Sequence, residues 1–445
     1  MRVEGIVKTM VMKRNKIIIL CWWVAGVMLP LTVSAQSAFF FIERDRNFSA
    51  GEYAVYQYSE LPALTPAPKG YTPFYISHYG RHGSRYMNDI KGYREPLEVL
   101  QKADSLGKLT ADGQMALREL RLYMAHAQGR WGDLSFKGKL QQREIAHRMS
   151  RNFPDVFRRG AFVDARSTIV TRCELSMGAA VLQLTKEHPK LHVTMRNSFS
   201  DMWYMNHQNK ALRDGAKTRS TERALNVFIK NHWTQDRLLA QLFNDTAYVH
   251  QHIDATWFLY YLMKAAIIQQ NTRHSSHTSP LLHFFSIEDY YFLWKVENVW
   301  SYMQSGFCEL NGAKQPYLQA CLLRKIIGEA DSIIDSRQHG VSLRFGHGTV
   351  LLPLASLMGI NGYDYQTSDV ESLEKKGWWA GKVNMMAGNI QMVFYRKNKN
   401  DRNPLVKVLL NEKEATLPLP SDLAPYYRWS DFRDYYLRKL DAISY

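Results

Sequence analysis

The chain is poor in cysteine, with 4 in 445 residues, and no Cys/His spacing among them resembles a zinc site. A small disulfide scaffold and a zinc-ribbon architecture are thereby excluded. Acidic residues are also scarce: 41 Asp and Glu stand against 57 Lys and Arg, a formal charge of +16. No single basic tail carries that excess. The field is spread along the chain and favours anionic partners: nucleic acid, anionic lipid or small phosphorylated molecules. Beyond the N-terminus no uninterrupted apolar run approaches ~18 residues, so the remainder of the chain holds no membrane span. Internal repeats are lacking too.

What is present suits a folded enzyme-sized chain. Hydrophobic content of 46% and aromatic content of 13% are ample for a core. The length implies two or three domains, or one core with a large insertion. From Met12 the sequence runs MKRNKIIILCWWVAGVMLPLTVSAQSA. Lys13, Arg14 and Lys16 form a positive n-region, Ile17 to Val33 an apolar stretch, and Val33-Ser34-Ala35 a small-residue cleavage site. Residues 1–35 therefore read as an export signal, which places the mature chain in a periplasm or outside the cell. The apolar stretch is long for a signal, so an uncleaved N-terminal anchor is the alternative. Cys21 leaves with this segment, and Cys173, Cys308 and Cys321 remain. In an oxidising compartment Cys308 and Cys321 could close a short loop as a disulfide; buried thiols are the other reading.

The Pro-rich stretch LPALTPAPKGYTP reads as an extended connector after a mixed segment at 36–58. Strand-like alternation follows at Phe74 to Tyr79, helical periodicity over 92–128, and a helix after Ser135 as N-cap. AFVDARSTIV and HVTMRNS read as further strands around a helix at ELSMGAAVLQLTKEH. From about 200 to 335 the pattern turns aromatic and helical, and strand sequence returns at VSLRFGH. An apolar helix, a hairpin around NKNDRN and an aromatic helix close the chain. The expected fold is α/β: a three-layer core with a mainly parallel sheet flanked by helices, plus a mostly helical inserted subdomain. The core takes residues 36–200 and 336–445, and the helical cap residues 201–335.

Two predicted strands end in chemically dense runs, YISHYGRHGSRY (75–86) and RFGHGT (344–349). Functional loops of such sheets lie at the carboxyl ends of strands. A phosphate monoester is dianionic, and the guanidinium groups of Arg81 and Arg85 match its oxygens in bidentate fashion. Between them a neutral His82 imidazole could attack phosphorus in line and form a phosphohistidine. A solvated basic turn is the bland reading of the same five residues. ARSTIVTR adds Arg172 at the start of a helix, where peptide dipoles favour an anion, and RFGHGT adds His347.

With RHGSR at 81–85, LSFKGKLQQ at 134–142, RSTIVTRC at 166–173 and FGHGT at 345–349, the chain resembles the histidine phosphatases of the acid phosphatase/phytase branch. The likeness is nearest to the multiple inositol polyphosphate phosphatases. It spans nearly the whole chain after the leader, in the family's motif order. The resemblance implies an exported phosphomonoesterase acting on inositol polyphosphates, phytate or 2,3-bisphosphoglycerate-like molecules through a phosphohistidine, without metal or cofactor. It makes His82 the nucleophile, His347 the second catalytic histidine, and Arg81, Arg85 and Arg172 the phosphate grip. Arg166 reads as structural, while His78 is open between facing the pocket and packing.

One departure stands out. The family carries an Asp, or an Ala-Glu pair, after its second histidine, and this chain has Gly348-Thr349. The carboxyl group that protonates the departing alkoxide is absent, and a Thr349 hydroxyl is too weakly acidic to replace it. A carboxylate from elsewhere (Glu297 is one candidate), a proton from water or from a neighbouring substrate phosphate, or a weakened enzyme would each account for this. A broad-specificity acid phosphatase and a homologue that binds phosphate esters without turnover are the alternatives. Nucleic-acid binding rests on charge alone, and the export signal and ordered motifs argue against it.

Overall fold

The run FYISHY builds a strand whose residues alternate between two buried faces. A computed structural model describes residues 37–56, 61–206, 209–272 and 279–443; the expected export signal lies outside the described residues. Strand β1 (Thr72–Arg81) is buried along most of its length. Tyr75 and Tyr79 enter one hydrophobic cluster and Ile76 another, as period-2 alternation requires of a central strand. The remaining strands are β2 (Phe162–Ser167), β3 (His192–Asn197), β4 (Gly340–Gly346), β5 (Asn389–Arg396), β6 (Leu405–Leu410), β7 (Lys413–Glu414) and β8 (Tyr426–Arg428).

They form one 8-stranded sheet in the order β8-β6-β5-β1-β4-β2-β3, with β7 paired to β6. β1, β4, β2 and β3 pair in parallel. β5 joins β1 in antiparallel fashion, and β5 and β6 form the hairpin expected from the sequence. The sheet is mainly parallel, as expected. One face is covered by the helices Phe136–Asn152 and Thr171–Glu187, through Ile76, Val163, Leu343, Met149, Met177 and Leu184. The other is covered by the helices Ala320–Ser336, Gly348–Met358 and Trp429–Asp441. Two helical layers around a sheet make the three-layer core.

The parallel register of β1 and β4 sets Arg81 opposite Gly346. Both strands end at the same level, so the residues after them emerge side by side. Ser135 caps its helix as expected, its side chain accepting from the Gly138 N–H. The periodic stretch read over 92–128 is two helices, Lys91–Ser105 and Ala111–Ala127, broken where Gly107 takes φ 65. These two pack with the insert: Leu97, Leu117 and Leu120 share a cluster with Leu259, Leu262, Tyr290 and Leu293. The helices of 91–127 and those of 255–305 therefore share one hydrophobic cluster.

Cys308 and Cys321 do not form a disulfide; both thiols are free. Cys308 is buried in a two-residue ladder with Gln366–Thr367, while Cys321 sits in the first turn of the Ala320–Ser336 helix. The ladder and the intervening 3-10 turns fix Cys308 in the core instead of presenting it to Cys321. Among the described residues no helix is long and apolar enough to cross a membrane.

Candidate active site

His82 directly follows β1 and is held at both ends of its peptide. Its N–H donates to the Gly346 carbonyl at 2.9 Å, and its own carbonyl accepts from the Ala387 N–H at 3.0 Å. The ring is buried, and Nδ1 lies 2.9 Å from the Gly83 carbonyl. A carbonyl only accepts, so Nδ1 carries the proton and Nε2 keeps its lone pair. The loop that presents this ring is braced by the Phe136–Asn152 helix. Ser135 N–H and Oγ donate to the Ser84 carbonyl, Gln141 accepts from the Ser84 N–H, and Gln142 donates to the Arg81 carbonyl.

Arginine surrounds the imidazole. Arg81 is buried, with Nη1 donating to the Glu52 carbonyl at 2.6 Å and to the Asn384 carbonyl. Arg85 donates to the Tyr86 carbonyl at 2.8 Å, and its guanidinium carbon lies 5.5 Å from the Tyr53 ring centroid. Arg172 occupies the first turn of the Thr171–Glu187 helix, which has no side-chain cap. The Arg81 and Arg85 head groups are thus anchored by backbone carbonyls, which orient a guanidinium without cancelling its charge. The Nε atoms of all three arginines are buried without a hydrogen-bond partner. An unsatisfied buried donor costs about 1–3 kcal/mol, more for a charged group, and an oxyanion would satisfy them.

The arginine charge acts on both histidines. Burial first, then Arg81, Arg85 and Arg172, hold the His82 imidazole well below its ordinary value. Burial, with Arg172, Arg81 and Arg85, lowers His347 to about 3. Both shifts favour the neutral ring at neutral pH, the form in which Nε2 keeps its lone pair. His347 caps the Gly348–Met358 helix, its ring centroid 5.8 Å from that of His82. Its Nε2 lies 3.2 Å from Thr168 Oγ1, and the buried Cys173 thiol donates to the neighbouring Gly346 carbonyl at 3.3 Å.

The structure thus gathers Arg81, His82, Arg85, Arg172 and His347 in one place, while His78 lies away from it. His78 points into the sheet–helix layer beside Phe345, at a ring-centroid distance of 5.3 Å, among Ile145, Met149 and Leu184. Burial and Arg344 lower it to about 3. Thr349 is exposed on the first turn of its helix. Arg166 is tied into ion pairs with Asp164 and with Glu329. Glu329 also takes Arg344 beneath the sheet, so this network fastens strands to the Ala320–Ser336 helix.

Gly348 is packed tightly: a Cβ there would stand 2.0 Å from Asn384 Oδ1. Asn384, which also receives Arg81, fills the volume that a side chain at 348 would need. Three groups near the arginines were not picked out in the sequence. Glu52 and Tyr53 end the 3-10 turn Arg46–Tyr53, inside the segment read as mixed. Lys264, from the cap, lies 5.1 Å from the Tyr53 ring and 3.1 Å from Glu297. Tyr53, Asn88, Lys91, Lys217, Lys264 and Glu297 line a cavity of about 660 Å³ under the cap helices. Among the described residues no group of three or more His, Cys, Asp or Glu side chains is placed to hold a metal ion.

No family model matches the chain. By sequence it is 24% identical to human multiple inositol polyphosphate phosphatase 1 over 409 residues, covering 82% of this chain and 79% of that protein. By structure it matches the Bifidobacterium longum multiple inositol polyphosphate phosphatase in its phosphate complex with a TM-score of 0.73 at 17% identity, over 87% of this chain and 96% of that one. The D. castellii phytase matches with a TM-score of 0.62 at 15% identity, over 90% of this chain and 86% of its own.

Proposed function

From the fold it shares with multiple inositol polyphosphate phosphatases and phytases, we propose that this chain is a histidine phosphatase hydrolysing inositol polyphosphates. One observation carries the reading: a buried His82 with Nδ1 committed to the Gly83 carbonyl and Nε2 free, ringed by guanidinium groups that carbonyls orient. Nε2 attacks phosphorus in line while Arg81, Arg85 and Arg172 hold the equatorial oxygens. His347, neutral beside Thr168, donates to a phosphoryl oxygen. Water then hydrolyses the phosphohistidine. The basic balance of the chain and the lysines of the adjoining cavity suit a substrate with several phosphates. The N-terminal pattern supports export, and the helical cap, with its 201–335 insert, supports a substrate-covering role.

The purified protein should release phosphate from inositol hexakisphosphate, and acid-labile labelled phosphate should be trapped on it by rapid quench. His82→Ala should abolish both. Absence of phosphate release and of a phosphoenzyme in the wild type would sink the reading. The packing of Asn384 over Gly348 supports a second reading, a homologue that binds phosphate esters with little turnover. It would show tight inositol hexakisphosphate binding with no phosphoenzyme.

A further inference from the structure

The phosphoryl grip leaves one chemical need unmet. Cleaving an alkyl phosphate places a developing alkoxide opposite His82, and alkoxides are poor leaving groups unless a proton arrives in the transition state. Gly348 offers no side chain, Asn384 carries no acidic proton, and Thr349 is exposed. Any protein side chain that supplies the proton therefore lies outside the two strand-end motifs.

We propose that Glu52 is that donor. The turn Arg46–Tyr53 is fastened to the grip by Arg81 itself, whose Nη1 holds the Glu52 carbonyl at 2.6 Å. The next residue, Tyr53, lies under Arg85 on one side and Lys264 on the other. Glu52 is the carboxylate whose charge acts most strongly on Arg81. Glu297, the other acidic group nearby, is paired with Lys264 at 3.1 Å on the cap side.

Burial pushes the Glu52 carboxyl up, but Arg81, Lys264 and Arg85, with Tyr53, outweigh it and hold the group below its ordinary value. A bound phosphate dianion changes this balance. It neutralises the arginines and adds negative charge beside the carboxylate, while the desolvation remains, so Glu52 takes up a proton with the substrate. In the first step the P–O bond breaks and an N–P bond forms to His82 Nε2. The bond pair goes to the leaving oxygen, which receives the Glu52 proton and departs as an alcohol. In the second step Glu52 carboxylate takes a proton from the attacking water. The N–P bond pair returns to Nε2, and inorganic phosphate leaves with Glu52 protonated again.

The inference rests on the phosphatase reading, and leaving-group dependence separates the two. Nitrophenolate departs without a proton, whereas an inositol alkoxide does not. Glu52→Gln should lower kcat for inositol hexakisphosphate by about 10²–10⁴-fold, the usual worth of a general acid. With 4-nitrophenyl phosphate the pre-steady-state burst of nitrophenolate, which reports the first step alone, should slow by less than about tenfold, and that retained burst reports a folded grip. Glu52→Asp should recover part of the inositol phosphate activity. Equal losses on both substrates, or none on either, overturn the proposal, as does a leaving-group split that appears in Glu297→Gln instead. Failure of the wild type on both substrates would refute the phosphatase reading itself.

Discussion

Replacing Gly138 by alanine isolates the packing that holds His82. Gly138 lies in the first turn of the Phe136–Asn152 helix, where propensity alone favours alanine by up to about 1 kcal/mol. A Cβ at this position would stand 2.2 Å from the Ser84 carbonyl oxygen and 2.7 Å from the Ser84 nitrogen. Gly83 meets the same surface from the other side, its Cβ position 2.3 Å from the Gly138 carbonyl oxygen. These are backbone atoms of the loop that presents His82, so no rotamer change relieves the contact. Ordinary carbon contacts begin near 3.5 Å, and helix and loop would have to separate by about 1 Å.

Overpacking of that kind costs about 1–3 kcal/mol, which exceeds the helical gain, so Gly138→Ala should destabilise by about 1–2 kcal/mol in urea unfolding. The displacement carries His82 and its Gly83 contact away from in-line geometry. A shift near 1 Å is worth on the order of 10²-fold in rate, read as kcat/KM for phosphate release. Gly178 supplies the control. It sits inside the Thr171–Glu187 helix with nothing within 4 Å of its Cβ position, so Gly178→Ala should stabilise by up to about 1 kcal/mol. A Gly138→Ala protein as stable and as active as its parent would refute the close approach and the positioning argued from it.

Acid sensitivity should trace partly to His78. Its folded value of about 3 lies below the ordinary 6.5, so the unfolded chain binds the proton first and stability falls as pH drops from 6.5 towards 3. At pH 5 this amounts to about 2 kcal/mol. His78→Leu should flatten the change in urea midpoint between pH 7 and pH 5, and an unchanged slope would contradict the buried neutral ring. Thiol titration in denaturant without reductant should find Cys308 and Cys321 both reactive; loss of that pair of thiols from the count would show that they are oxidised to each other.

The sheet and its flanking helices were legible because their signals are local. Alternation in FYISHY, the Ser135 cap and the paired runs around NKNDRN each specify an element within a dozen residues. The grip was legible for the same reason: RHGSR and FGHGT end neighbouring strands, and the parallel register that sets Arg81 against Gly346 brings them together. His78 was ambiguous at that level. Period 2 puts it with Ile76, opposite Tyr75 and Tyr79, but only the packed helices show that its face is closed by Ile145, Met149 and Leu184. The break at Gly107 was hidden because both flanking helices keep apolar residues in register with the cap.

The surroundings of the arginines were illegible because no contiguous segment encodes them. Glu52, Asn384 and Lys264 are brought to the arginines by three distant stretches, and the strongest ties between them run through backbone carbonyls, which leave no pattern in sequence. In the sequence, Gly348-Thr349 marked a missing carboxylate that a donor from elsewhere, a proton from water or substrate, or a weakened enzyme would each explain. In three dimensions Asn384 takes the space a larger residue at 348 would need, and its carbonyl orients Arg81. Arg81 in turn holds the turn that carries Glu52, so the proposed phosphate grip and the proposed donor share one guanidinium. Their coupling follows: a substitution that moves Arg81 should impair both phosphate binding and alkoxide departure, whereas one at Glu52 should impair the second alone.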